Sequence, residues 1–182
     1  MEQVFLSLGS NLGDRLGNLR QAVARLREFA TITALSHVYE SEPVECTEQP
    51  WFVNAVVGLS MEDGPMRGEE AAANDPERLL ERLHSIELAM GRRRDSREFT
   101  PKGPRIIDLD IVLYGSRVIG SPKLTVPHPA MHLRRFVLEP LAEIAPEAKH
   151  PLLGRSAMQM LRELPMEGAV VRRIAELNSQ GE

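Results

Sequence analysis

Residues 103–115 read GPRIIDLDIVLYG. After Gly-Pro-Arg and apart from two aspartates, the run is rich in isoleucine, leucine and valine, with Gly behind it, so it reads as a buried strand. Side chains alternate across a strand. Ile107, Leu109, Ile111 and Leu113 therefore share one face, and Asp108 and Asp110 share the other. Two residues of rise set the carboxylates about 7 Å apart, and at an effective dielectric of about 20 they repel by about 2 kcal/mol. A positive group is expected between them. A divalent cation answers this, with Mg²⁺ suited because it takes one or two carboxylates and fills its shell with water and phosphate oxygens. An open, solvated strand face with arginine partners answers it too.

The segment feeding this strand is strongly basic. Residues 92–105 hold six cations (Arg92, Arg93, Arg94, Arg97, Lys102 and Arg105) against Asp95 and Glu98, in a chain whose formal net charge is -4. Guanidinium forks bind phosphate oxygens bidentately, and a Gly- and Pro-containing loop can close over a polyphosphate. A charge run is commonly just a solvated loop. Here it abuts a carboxylate pair, and cations beside metal-binding carboxylates are what phosphoryl transfer requires.

Further out, the elements alternate. Val4–Leu8 reads as a strand, and Leu16, Leu19, Val23 and Leu26 mark an amphipathic helix capped near Asp14. Thr33–Tyr39 and Phe52–Leu59 are two more strands. Asp75-Pro76 opens a second helix with Leu79, Leu80, Leu83, Ile86 and Met90 as its core stripe. With the aspartate strand the order is βαββαβ, which predicts an α+β, ferredoxin-like sandwich of a helix layer on an antiparallel sheet. Residues 62–74 lack an apolar period and read as a surface insertion in one domain spanning 1–182. After Arg117 come short strands near 117–119 and 124–126, then helical pieces broken by Pro129, Pro140, Pro146 and Pro151. VRRIAELNSQGE, residues 171–182, reads as a helix fraying into a polar tail.

Composition excludes several classes. Aromatics are 4% and the balance is acidic, against a nucleic-acid binder. The single cysteine, Cys46, permits neither an internal disulfide nor a cysteine zinc site. MEQVFLSLGS lacks the basic start of a signal peptide, and no apolar run of about 18 residues occurs, so a cytoplasmic protein with no membrane partner is expected.

Weaker signals remain open on their own. LGSNLGD (8–14) is an ordinary strand-to-helix turn or a phosphate contact through backbone N–H groups. His128, between Pro127 and Pro129, is structural or faces a phosphate. Phe52 and Asn54, behind Trp51, belong to a core strand or to a pocket that stacks and reads a flat ring.

Taken in order, GSNLGD, YESEPV, QPWFVNAVV, IELAMGRRR, GPRIIDLDIVLYG and LTVPHPAMHLRRFVLEPL resemble the 6-hydroxymethyl-7,8-dihydropterin pyrophosphokinase family over about residues 3–165. The resemblance implies transfer of pyrophosphate from ATP to the pterin hydroxymethyl group, giving AMP, with two Mg²⁺ ions held by Asp108 and Asp110. It implies catalytic roles for Arg92 and Arg94 beside those aspartates. A nucleotide site of His84, Glu87, Arg92, Arg94, Arg105, Ile111, Lys123, Thr125, His128 and Arg134 follows from it. So does a pterin site of Ser41, Glu42, Val44, Phe52, Asn54 and Phe136. ATP and the pterin are then the partners of a chain expected to be monomeric. The chain departs from the common pattern with Phe52 in place of Tyr, Lys102 before Gly-Pro-Arg where an aromatic or Asn is frequent, Pro129 beside the histidine, and a longer arginine loop in which Phe99 is the one ring. A nucleotidyltransferase attacking the α-phosphorus uses the same aspartates and arginines and differs at Phe52, Asn54 and Phe136. An RNA or regulatory module on the same sheet would need exposed stacking rings.

Overall fold

A computed structural model describes residues 2–44, 48–60, 75–92, 103–165 and 170–177. Cys46, the 62–74 stretch and the loop residues Arg93, Arg94, Arg97, Phe99 and Lys102 lie outside the described residues. In chain order the elements are β1 (Gln3–Ser10), α1 (Arg15–Leu26), β2 (Thr31–Leu35), β3 (His37–Ser41), β4 (Phe52–Ser60), α2 (Pro76–Ala89) and β5 (Asp108–Tyr114). Then come β6 (Ile119–Gly120), β7 (Thr125–Val126), a 3-10 turn (Met131–Leu133), α3 (Arg135–Ile144), α4 (Ala157–Glu163) and β8 (Val171–Glu176).

Both early helices start where the sequence caps them. The Asp14 carboxylate accepts from Gly17 N at 2.9 Å, and that of Asp75 accepts from Glu77 N at 3.0 Å with Pro76 following. Their apolar stripes, Leu19, Val23 and Leu26 on α1 and Leu79, Leu83 and Ile86 on α2, pack on one face of an antiparallel sheet ordered β5-β1-β4-β3-β8, with β2 also on β4. On the opposite face Phe5, Val56, Val112 and Leu113 meet Val137, Leu138 and Leu141 of α3 and Met160 of α4. The central strands are buried on both sides, which is why β1 and β4 read as nearly continuous apolar runs.

Four expectations change. The strand expected at Thr33–Tyr39 is split at Ser36, whose N–H donates to Val56 O and whose hydroxyl accepts from Val56 N at 2.9 Å. The register against β4 moves by one residue there, from Leu35↔Val57 to Tyr39↔Asn54. In β5 the expected alternation holds through Ile111 and then slips. Leu113 faces Phe5 and Ile111 faces Leu6, so Val112 is an extra residue without a partner on β1. This bulge turns Leu113 to the α3 side, away from Leu109 and Ile111. Pro140 does not break a helix: α3 runs through it, giving up only the N–H that proline lacks. Finally, VRRIAE is not helical. It is the edge strand β8, paired antiparallel with β3 from His37↔Glu176 to Ser41↔Val171. An edge strand with arginines on its exposed positions carries little alternation to read.

Candidate active site

Among the described residues, α3 and α4 cover only part of the bulged sheet face. Where α3 and α4 end, the strands β1, β4 and β5 present their far ends to a cavity of about 300 Å³. Register builds its floor, because Gly9 lies opposite both Asn54 and Asp108 while Ser7 lies opposite Asp110. The row across the sheet is therefore Asn54, Gly9, Asp108. A Cβ on Gly9 would stand 3.3 Å from Asn54 Oδ1, so the missing side chain is what keeps the floor open.

One wall is aromatic and amide-bearing. Phe52 and Asn54 open β4, Asn54 Nδ2 donates to Ser41 Oγ at 2.8 Å, and Phe136 closes the cavity from the first turn of α3. Glu42, Val44 and Gln49, from the connection between β3 and β4, complete this side. The other wall is ionic. Arg92 Nη1 contacts both Glu87, at 2.5 Å, and Asp108, and donates to Ile107 O at 3.2 Å. Arg105 Nε sits 3.0 Å from the second Asp108 oxygen, and its guanidinium covers the Phe52 ring at 5.0 Å. Asp110, His128 and Arg134 line the same side.

The electrostatics follow from this crowding. Burial pushes the Asp110 carboxyl up to about 7, reinforced by the negative charges of Asp108 and Glu87 and opposed by Arg134 and Arg92. Burial also works against the charge on Arg92, but Asp108 and Glu87 outweigh it and hold the guanidinium above its ordinary value. Burial, then Arg134, lowers His128. Its Nδ1 accepts from Ala130 N at 3.2 Å, which leaves Nε2–H as the donor of a neutral ring.

A divalent cation fits the donors present. Among the described residues the positive charge of Arg134 and Arg92 does not offset burial and the negative neighbours of Asp110, both carboxylates are hard oxygen ligands, and no group of three or more His, Cys, Asp or Glu could enclose a metal. A cation there must take water or phosphate oxygens for most of its shell, which suits Mg²⁺ rather than zinc.

The cavity thus gathers Ser41, Glu42, Val44, Phe52, Asn54 and Phe136 with Arg92, Arg105, Asp108, Asp110, His128 and Arg134. Other expected residues stand elsewhere. Glu87 is 1% exposed and lies behind the wall, where it accepts from Leu109 N at 2.8 Å, the amide between the two aspartates. The Ile111 side chain is in the helix-side core. Lys123 pairs with Glu81 of α2 at 3.7 Å, and neither it, Thr125 nor His84 lines this cavity. The sequence reading does not single out Ser7 or Gln49, and takes Gly9 and Asn11 only as part of the turn at 8–14. Asn11 is 2% exposed, donates to Gln49 Oε1 and Pro50 O, and accepts from Arg105 N at 2.7 Å. The period-2 alternation of β1, which puts Ser7 and Gly9 on one face, was the available signal for those two.

Comparison with known proteins agrees with this geometry. The model of the 7,8-dihydro-6-hydroxymethylpterin-pyrophosphokinase family matches residues 5–146. A 2-amino-4-hydroxy-6-hydroxymethyldihydropteridine pyrophosphokinase from Pseudomonas aeruginosa is 38% identical over 92% of this chain and 95% of its own. The Bacillus subtilis protein of that name is 42% identical over 80% of this chain and 79% of its own. The chain spans only 19% of the Pneumocystis carinii folic acid synthesis protein fol1, at 38% identity. Among solved structures, Plasmodium falciparum HPPK-DHPS with pterin and p-hydroxybenzoate shares the fold with a TM-score of 0.65 at 16% identity, over 89% of this chain and 41% of that one. With its motifs, cavity and nearly full-length bacterial relatives in agreement, the chain belongs to the 7,8-dihydro-6-hydroxymethylpterin-pyrophosphokinase family.

Proposed function

We propose that this chain is the enzyme that transfers pyrophosphate from ATP to 6-hydroxymethyl-7,8-dihydropterin in folate biosynthesis, forming the pterin diphosphate and AMP. The observation that carries this reading is one cavity with two unlike walls. Phe52, Asn54, Ser41 and Phe136 suit a flat, hydrogen-bonding ring, and Arg92, Arg105, Arg134, Asp108 and Asp110 suit a metal-bound polyphosphate.

The roles follow from chemistry. Phe52 and Phe136 stack on the pterin and Asn54, fixed by Ser41, reads its edge. Asp108 and Asp110 would hold two Mg²⁺ ions, which would supply charge neutralisation on the phosphates. Arg92, Arg105 and Arg134 bind the triphosphate and offset charge as the bond from the β-phosphorus to the AMP oxygen breaks. His128 donates from Nε2 to a phosphate oxygen. The hydroxymethyl oxygen needs only to be held in line with that phosphorus, so positioning replaces a covalent nucleophile. Arg94 belongs to the same cationic set, with His84, Lys123 and Thr125 toward the adenosine end.

Counting β2 and β3 as one strand, the sheet order and the helix after each of the first and third strands support a ferredoxin-like core. A single domain acting as a monomer in the cytoplasm completes the reading; among the described residues no helix is long and apolar enough to cross a membrane. The test is nucleotide chromatography after incubation with ATP, Mg²⁺ and the pterin. AMP is expected only when pterin is present. ATP left intact with pterin present, or ADP as the product, contradicts the proposal.

A further inference from the structure

The C-terminal strand does more than extend the sheet. The pterin wall includes Glu42, Val44 and Gln49 of the connection between β3 and β4, and β8 with the residue before it touches both ends of that connection. At the first end Glu42 N donates to Val170 O and Val170 N donates to Glu42 Oε2, each at 3.2 Å. At the second end the Arg172 guanidinium lies over the Trp51 ring at 5.4 Å. That guanidinium also donates to Glu40 Oε2, from Nε at 3.0 Å and from Nη2 at 2.5 Å. The other Glu40 oxygen accepts from Arg15 Nη1 at 3.0 Å, and the same nitrogen donates to Trp51 O at 2.8 Å.

Glu40 and Trp51 immediately precede Ser41 and Phe52, which pair across β3 and β4 and face the cavity. Glu40, 9% exposed and shared by two arginines, one of them stacked on an indole, holds the end of β3 and the start of β4 from behind. Isolated surface ion pairs contribute little, but charges that form a network on a buried centre, with a cation-π contact, hold geometry.

We propose that Arg172 is a positioning residue for pterin recognition: through Glu40 and Trp51 it fixes the wall formed by Ser41, Glu42 and Phe52 without touching substrate. This rests on the reading that the wall binds pterin. It makes the affinity for pterin depend on β8 far more than the affinity for the triphosphate, whose side is built on Arg92, Arg105, β5 and the start of α3 and meets the braced wall only through Arg105 and Asn11.

The test uses the full chain carrying Arg172→Ala, with Arg172→Lys as a milder variant that keeps a cation for Glu40 and lacks the flat group for the indole. Trp51 is the only tryptophan of the chain, so its quenching by acrylamide reports the staple directly. The expected result for Arg172→Ala is a rise in Trp51 quenching, a five- to twentyfold rise in Kd and KM for pterin, an ATP Kd within twofold of wild type, and kcat at saturating pterin within about threefold. Arg172→Lys should fall between, and it carries the test if the alanine variant does not fold. Pterin affinity unchanged despite greater quenching overturns the positioning role. Unchanged quenching, or equal loss of ATP and pterin affinity, overturns the staple. Wild-type protein that binds ATP but no pterin overturns the reading of the wall itself and this inference with it.

Discussion

Asp110 carries a conflict between folding and chemistry. Burial and two negative neighbours raise its carboxyl to about 7, so the folded chain holds its proton more tightly than the unfolded chain does. Stability therefore falls as pH rises from the ordinary aspartate range through 7, and the full cost stands above that. Asp110→Asn keeps the shape and removes the charge. At pH 8, without ligands, it should raise Tm by a few degrees, on the order of 1 kcal/mol, with the gain vanishing near pH 4 while turnover is abolished. Thermal melts at the two pH values check this, and a lower Tm at pH 8 contradicts it. Gly9 offers a second test at this scale. A methyl there would stand 3.3 Å from Asn54 Oδ1 and press on the amide that Ser41 holds, so Gly9→Ala should weaken pterin about tenfold, by roughly 1.4 kcal/mol, and leave ATP binding in place, as titration calorimetry would read.

At the level of elements, legibility depended on where the information resides. Asp108 and Asp110 were readable because alternation is written in β5 itself. The Val112 bulge was not, because it is a property of the register with β1, and it reassigns Leu113 to the other core. β8 escaped notice for a related reason: its identity comes from pairing with β3, and Arg172 and Arg173 mask any apolar period. Glu87, expected at the nucleotide by resemblance, has a carboxylate that accepts from the Leu109 amide and contacts Arg92. Only three-dimensional stacking of α2 on β5 reveals that. α3 has two duties, since Leu138 and Leu141 cover half the sheet and Phe136 with the preceding Arg134 borders the cavity. Leu138 is fully buried, and Leu138→Ala should cost about 2–4 kcal/mol in denaturant unfolding. A loss below about 1 kcal/mol would mean that α3 is not an integral part of the second core.

For the whole molecule, the sheet separates stability from function by face. One face is sealed by α1 and α2, and the other is covered by α3 and α4 over one part and, among the described residues, lines the cavity over the rest. That part of the sheet brings one end of each of three adjacent strands, β5, β1 and β4, to one cavity, and the C-terminal strand braces its rim. Central to this account is that the acceptor oxygen reaches the β-phosphorus of ATP. ATP labelled at the β-phosphorus tests it most directly, in the presence of Mg²⁺ and 6-hydroxymethyl-7,8-dihydropterin. The label should move into the pterin product, leaving unlabelled AMP. Label in ADP, or in free pyrophosphate with the nucleotide joined to the acceptor, would place the attack on another phosphorus and contradict the account.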